Sequence, residues 1–172
     1  MRKEKGFSLI ELLIVVAIIL ILAGIVGPNL LKSRMAANEA SAAASERTIA
    51  TAEVTFSSTY NNGFSTSLVA LGPRAAGTAA SSTAADLIDS TLAGATASTA
   101  VKGGYFFVYT TGATSPTTSF SLVGIPANSG STGTSTFCID QTTAIKKDPQ
   151  GSVTTATSSG CPASATPGFR PM

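Results

Sequence analysis

A single carboxylate interrupts the apolar N-terminal part of this 172-residue chain. Glu11 lies four residues after Phe7 and is followed by 20 consecutive uncharged residues, from Leu12 to Leu31. An unpaired carboxylate in hydrocarbon costs about 2 to 3 kcal/mol, so such a group needs a cationic partner or a hydrated position at the membrane interface. The chemistry that Glu11 offers is therefore charge pairing.

Side chains suited to catalysis are scarce. The chain has no histidine, and it has no Gly-x-Ser-x-Gly elbow, phosphate-binding loop or paired-carboxylate spacing. Two sulfur atoms are too few ligands for a structural metal. The sequence predicts no catalytic residues, no cofactor and no metal site.

The formal charge of +2 is concentrated in the first six residues, where Arg2, Lys3 and Lys5 outnumber Glu4. The remaining chain is balanced in charge and has no basic patch that could bind the phosphates of a nucleic acid. We therefore expect no nucleic-acid site.

The apolar run from Leu12 to Leu31 predicts a membrane-spanning helix. At 1.5 Å per residue it reaches ~30 Å, the thickness of the hydrocarbon core of a bilayer. The basic residues before it keep the N-terminus in the cytoplasm and place everything after Lys32 outside. The alternative is a cleavable secretory signal, but the run is long for one and no clean small-x-small site follows it.

The residues around Glu11 add a more specific signal. They read Lys5-Gly6-Phe7-Ser8-Leu9-Ile10-Glu11-Leu12. This string resembles the cleavage and methylation motif of type IV prepilins. The resemblance implies that a membrane peptidase cuts after Gly6 on the cytoplasmic side and that Phe7 is then N-methylated. It also implies that Glu11 attracts the Phe7 amine of a neighbouring subunit, which sets the axial register of a growing filament.

The helical pattern continues beyond the apolar run to about Tyr60. A stripe of small or apolar residues recurs at steps of three and four and predicts one buried face; its members are Ala42, Ser45, Ile49, Ala52 and Phe56. The charged residues of this half are expected in solvent, namely Glu39, Glu46, Arg47 and Glu53. Asn61-Asn62-Gly63 predicts the stop. Such a helix would be ~80 Å long, so its first half should project.

Gly24, Gly27 and Pro28 interrupt the apolar run. Proline removes one helical hydrogen bond and clashes with the preceding turn, so a bend or a locally melted stretch is expected there. An ordinary kink in a membrane helix explains the pattern equally well. The resemblance to type IVa pilins favours a helix break that opens in the assembled filament.

The C-terminal part predicts a small α+β head. A short helix is expected over Ser82–Leu92, with Ser82 or Thr83 as its cap and Gly94 as its stop. Four strands of an antiparallel meander follow, at 105–110, 119–125, 136–140 and 144–146. The predicted fold class is α+β and resembles that of type IV pilins: a long N-terminal α-helix, transmembrane in its first half, is expected to pack on an antiparallel sheet of about four strands.

Cys138 and Cys161 are the two cysteines, and both lie in the part expected outside the cell. Export and an even count favour a disulfide over free thiols. Many pilins close a C-terminal loop in this way.

The resemblance predicts a structural filament subunit that serves adhesion, surface motility or DNA uptake. Its partners would be further copies of the subunit, the prepilin peptidase and methyltransferase, the inner-membrane assembly machinery and, before assembly, membrane lipid. A type II secretion pseudopilin and an anchored binding protein that never polymerises are the alternatives. The predicted divisions are a leader (1–6), an apolar helix (7–31), an amphipathic helix (32–62) and a head (63–172).

Overall fold

The computed structural model describes residues 6–162 and 169–172. Within these residues two helices come first, with a 3₁₀ turn at Leu68–Leu71 between them, and five strands follow. The chain divides into two units, which we call the N-terminal segment (Met1–Arg34) and the head (Met35–Met172). Arg2, Lys3 and Lys5, on which the predicted membrane orientation depends, lie outside the described residues.

Helix α1 runs from Leu9 to Tyr60 and contributes to both units. Its apolar half has Leu, Ile and Val on every face, and these side chains are exposed from Leu9 to Leu22 and at Leu30 and Leu31. By length and composition this half can cross a membrane, although a signal sequence near an N-terminus meets the same criteria. Exposed apolar surface of this extent requires lipid or a protein partner.

The head half of α1 is amphipathic, as the sequence predicts. None of the five stripe residues is more than 7% exposed, which confirms the predicted buried face. This face packs on the sheet and shares one hydrophobic core with it. The stripe residues are Ala42, Ser45, Ile49, Ala52 and Phe56.

The end of α1 is also confirmed. Asn61 follows Tyr60 with a φ of 56°, the left-handed conformation that stops a helix. Gly63 has a φ of 76°, and the next residue, Phe64, donates its N–H to the Thr117 carbonyl oxygen at 2.9 Å. The chain is thereby turned back toward the sheet.

The predicted break in α1 is not present in the single chain. In this single chain the backbone is helical through Gly24, Gly27 and Pro28. A break that opens in an assembled filament therefore stays a prediction.

The sheet is antiparallel, and its strands are paired in chain order. In the register, Phe107 lies opposite Gly124 and Val123 lies opposite Cys138. The strands are β1 (Tyr105–Thr111), β2 (Phe120–Pro126), β3 (Thr136–Asp140), β4 (Lys146–Asp148) and β5 (Arg170–Pro171).

Side chains alternate between the two faces of the sheet, as strand geometry requires. The face toward α1 carries buried aromatic and aliphatic residues, among them Tyr105, Phe107, Phe120, Leu122 and Phe137. The opposite face holds a second, smaller core of Val123, Ile125, Cys138 and Phe169. The fold is therefore α+β, a long N-terminal helix packed on an antiparallel sheet of five strands.

Two predictions about the sheet need correction. The fourth strand is Lys146–Asp148, two residues later than the predicted 144–146. A fifth strand, Arg170–Pro171, pairs with it and was not predicted. Phe169 explains this strand, because its side chain is only 3% exposed and anchors the tail on the sheet.

The predicted helix over Ser82–Leu92 is wrong in extent. The observed helix, α2, is Ser90–Gly94, and its cap is Asp89, whose Oδ1 accepts the Leu92 N–H at 3.0 Å. Asp86 has a φ of 59°, which a helix cannot include. The backbone before the cap bonds instead to the 3₁₀ turn, as in the 2.9 Å bond from Leu87 N–H to Leu71 O.

The predicted disulfide is confirmed. Cys138 and Cys161 are bonded, with Cα atoms 5.9 Å apart. A bridge between residues 23 apart stabilises a fold by ~3 to 4 kcal/mol on the chain-entropy model. It ties the C-terminal loop to the outer face of β3.

Candidate assembly site

The start of α1 carries the residues of the prepilin-like motif. Gly6 and Phe7 precede the helix in irregular backbone, and Phe7 is 86% exposed. An added Cβ at Gly6 would meet no atom within 4 Å. The bond between Gly6 and Phe7 is therefore unobstructed by the described chain.

Glu11 caps its own helix. Ser8 donates its backbone N–H to Glu11 Oε2 at 3.0 Å, while the Ser8 carbonyl accepts the Leu12 N–H at 3.3 Å. Ser-x-x-Glu at a helix start is the capping-box pattern, in which the glutamate reaches back to the N–H of the cap residue. Ser8 thus belongs to the site. The spacing Ser8-x-x-Glu11 was the signal that could have revealed it.

This cap supplies part of what Glu11 needs. It gives the carboxylate one neutral donor, and Oε1 accepts no hydrogen bond from the described residues. One neutral N–H does not compensate a full negative charge in an apolar surrounding, whereas an ammonium group does. The site can still accept a cation.

Apolar side chains surround Glu11 on the helix surface. Its apolar neighbours one turn away, Phe7, Ile14 and Val15, are each at least 51% exposed. A shallow apolar groove runs along the opposite side of the helix and is lined by Leu9, Leu12, Leu13, Val16, Ala17 and Leu20. A cation that reached Glu11 would arrive in surroundings where opposite charges attract more strongly than in water.

Three further carboxylates lie on one side of α1 in the head. Glu39, Glu46 and Glu53 are seven residues apart and so return to nearly the same face of the helix. Each accepts a backbone N–H from a segment of the head outside α1. The prediction that these acids lie in solvent is wrong for Glu46 and Glu53, which are 0% exposed. Their heptad spacing was the available signal.

Glu39 is the ionised member of this set. Its Oε2 accepts from Lys147 Nζ at 2.9 Å, and its Oε1 accepts the N–H groups of Thr134 and Ser135, both at 3.2 Å. Partial burial acts to raise the pKa of Glu39. The bonds from Lys147 and the two N–H groups outweigh burial and lower the pKa to about 2.

Glu53 is buried but well satisfied. Its Oε2 accepts the Ser65 N–H at 2.8 Å, and its Oε1 accepts the hydroxyls of Ser65 at 2.5 Å and Tyr109 at 2.6 Å. Burial raises the pKa of Glu53, and these hydrogen bonds counteract part of the rise. Burial also raises the pKa of Tyr109, and the nearby Glu53 carboxyl adds to that rise.

Asp140 and Asp148 stabilise the C-terminal part of the head through hydrogen bonds to its backbone. Asp140 accepts from the backbone N–H groups of Thr142 and Cys161 at 2.9 and 3.1 Å. Asp148 accepts the N–H groups of Ser152 and Val153 at 2.7 and 3.0 Å. Over residues 6–162 and 169–172, no three acidic, histidine or cysteine side chains come together as a metal site would require.

Comparison with known proteins identifies the N-terminal segment. Residues 1–27 match the family described as "Prokaryotic N-terminal methylation motif", so this part of the chain is type IV prepilin-like. A curated relative is the "Type IV wide pilus major component PilA4" of Thermus thermophilus. The two chains are 64% identical over 39 residues, which is 23% of this chain and 30% of the relative. The match thus spans less than a third of the relative's length. No solved structure matches the chain significantly.

Proposed function

We propose that this protein is a structural subunit of a type IV pilus filament. The subunit is cut after Gly6 by a prepilin peptidase, N-methylated at Phe7 and polymerised with further copies. The observation that carries the proposal is the position of Glu11, a carboxylate with one neutral donor in the middle of exposed apolar surface. The match of the first 27 residues to the methylation motif supports it.

Before assembly the apolar half of α1 lies in the inner membrane, with the N-terminus in the cytoplasm. Its length and composition support this stage. Assembly exchanges lipid for the apolar helices of neighbouring copies and moves the subunit into an extracellular fibre. The pieces that act in turn are the leader (1–6), the apolar helix (7–31), the amphipathic helix (32–62) and the head (63–172).

Glu11 recognises a neighbour in this proposal. Cleavage after Gly6 creates an amine at Phe7, and methylation leaves it positively charged. The amine of one subunit approaches the Glu11 carboxylate of another, and the two desolvated charges compensate each other. Because every subunit carries both groups, the same pairing repeats along the filament and fixes its axial register.

The pilus is favoured over a type II secretion pseudopilin by the relative, which is named as a pilus component. The roles open to such a fibre are adhesion, surface motility and DNA uptake. The assembly machinery of the inner membrane is the expected partner during growth.

Glu11→Gln tests the proposal. Glutamine has the shape of glutamate and can accept the Ser8 N–H, so the helix cap is kept while the charge is lost. Removing one partner of a desolvated ion pair costs ~3 kcal/mol or more, so we expect fibre yield to fall at least roughly tenfold. Electron microscopy of sheared fibres gives the yield, and mass spectrometry of the membrane fraction gives the extent of cleavage.

Ser8→Ala is the matched control, because it keeps both the Ser8 N–H and the Glu11 charge. We expect this variant to form fibres at close to the normal yield. Normal fibre yield from fully cleaved Glu11→Gln subunits would contradict the role proposed for Glu11.

A further inference from the structure

Glu46 is a buried acid that the assembly mechanism leaves unused. It lies on the face of α1 that packs on the sheet and is 0% exposed. Its Oε1 accepts the Gly124 N–H of β2 at 3.1 Å. Its Oε2 has no hydrogen-bond partner among the described residues.

The space around this carboxyl is closed. A Cβ added at Gly124 would lie 3.0 Å from Glu46 Oε1 and 3.2 Å from the Phe107 ring. Phe107 is itself 1% exposed. The glycine in β2 therefore makes room for the carboxyl, and the buried Phe107 ring lies beside the same glycine.

The charged and titratable groups on the elements around Glu46 have other hydrogen-bond or ion-pair partners. On the same face of α1, Glu39 is paired with Lys147 of β4, and Glu53 is bonded to Ser65 and to Tyr109 of β1. Tyr105 of β1 donates its hydroxyl to the Ser135 carbonyl. The described residues thus offer Glu46 no cation.

A buried carboxylate without a cation or a full set of donors is strongly disfavoured, and a neutral carboxylic acid in its place is not. We propose that Glu46 is held as a neutral acid between α1 and the sheet, and that this proton makes the attachment of the sheet to the helix sensitive to alkaline pH. The inference concerns the head alone and does not depend on filament assembly.

The direction of the pH effect follows from the burial. Burial raises the pKa of Glu46 well above its ordinary value of 4.5, and the Gly124 N–H opposes the rise only in part. Between these two pKa values the folded head keeps a proton that the unfolded chain has lost. The stability that the protonated Glu46 provides is therefore fully present below about pH 4.5 and is lost as pH rises toward the pKa of the folded state. Over this range the equilibrium constant for folding falls roughly tenfold per pH unit.

Glu46→Gln is the primary test, because glutamine keeps the Oε1 acceptor for Gly124 and cannot ionise. The full-length chain in detergent micelles is followed in two ways. Infrared spectroscopy detects the C=O stretch of a protonated carboxyl at neutral pH. Hydrogen exchange of the β2 peptide (120–126) reports how often β2 separates from α1 as pH rises. The exchange rates are corrected for the pH dependence of exchange in an unstructured peptide.

We expect the wild-type chain to show the protonated-carboxyl band and Glu46→Gln to lose intensity from it. We also expect the equilibrium constant for the opening of β2 to rise with pH in the wild type. In Glu46→Gln this rise should be smaller by about tenfold per pH unit, the difference that the loss of one titrating proton causes. Equal bands and equal pH slopes in the two proteins would overturn the proposal.

Two further variants separate the outcomes. Glu53→Gln removes the other buried acid of α1. In this variant the infrared intensity assigned to Glu46 and its contribution to the pH dependence of β2 opening must both remain. Glu46→Met fills the site with an apolar chain of similar size, and it gives the same reduced slope if Glu46→Gln fails to fold. Persistence of the full pH slope in Glu46→Met would overturn the proposal independently.

Discussion

Three glutamates of α1, Glu11, Glu39 and Glu46, lie in different surroundings, and each surrounding sets a different chemistry. Glu11 lies among exposed apolar residues with one neutral donor. Glu39 is paired with Lys147 at the edge of the core. Glu46 is enclosed without a cation. Glu39 is thus an ionised anchor, and we propose that the same residue type serves as a recognition charge at position 11 and as a neutral acid at position 46.

Glu39 should stabilise the head in a pH-dependent way. Its pKa is about 2 in the folded head against an ordinary value of 4.5, so its contribution is present above about pH 4.5 and is lost as pH falls toward 2. As pH falls between these limits, we expect the free energy of unfolding of the wild type to decrease by ~2 kcal/mol more than that of Glu39→Gln. This figure is reduced because Lys147 is partly exposed and solvent screens its charge. Denaturant unfolding of the two proteins across this pH range measures the difference.

Asp86→Asn is the control for this prediction. Asp86 forms an ion pair with Arg74 at 3.0 Å, but both side chains are more than 40% exposed. Surface pairs of this kind contribute little, so the control should follow the wild type within about 1 kcal/mol. Parallel pH curves for wild type and Glu39→Gln would contradict the role assigned to Glu39.

At the residue scale the sequence predicts an unusual acid at position 11 because charge in an apolar run is visible without a fold. It does not predict the burial of Glu46 and Glu53. Both acids stand beside the residues of the buried stripe, and only the tertiary packing of β2 and Ser65 shows which N–H groups reach them. A polar residue on a helix is ordinarily expected in solvent, and that expectation failed here.

At the element scale, the turn that ends α1 depends on Gly63. A Cβ at this position would lie 2.0 Å from the Thr117 carbonyl oxygen, and the residue has a φ of 76°. Gly63→Ala adds a steric clash with backbone to the cost of the left-handed conformation, so we expect it to destabilise the head by ~2 to 4 kcal/mol. Thermal or denaturant unfolding measures the loss.

Gly77→Ala separates the two costs. Gly77 has a similar φ of 82°, but an added Cβ there would meet no atom within 4 Å. The control should lose only about 1 kcal/mol, the cost of the backbone conformation. Equal losses in the two variants would show that the contact with Thr117 is unimportant.

The elements that the sequence predicts well are those with a long periodic pattern. The buried stripe of α1 and the first three strands have clear periods of 3.6 and 2. Strand β5 has two residues and depends on the burial of Phe169, which no local pattern reveals. The helix predicted over Ser82–Leu92 failed because Asp86 adopts a left-handed conformation and the preceding turn supplies the hydrogen bonds.

At the scale of the whole molecule, one helix joins two tasks. Its apolar half exposes side chains that need lipid or a protein partner, and its other half contributes one face to the core of the head. The disulfide between Cys138 and Cys161 closes the end of the head, as the sequence predicts from export and an even cysteine count. A helix break at Gly24, Gly27 and Pro28 in an assembled filament stays a prediction.

The processed N-terminus provides the most direct test of the proposed function. Surface fibres are sheared from cells, purified and analysed by mass spectrometry for the N-terminal peptide of this chain. We predict a peptide that begins at N-methylated Phe7, with residues 1–6 absent. Recovery of the chain with Met1 retained, as a monomer that forms no fibres while Glu11 is intact, would contradict the account.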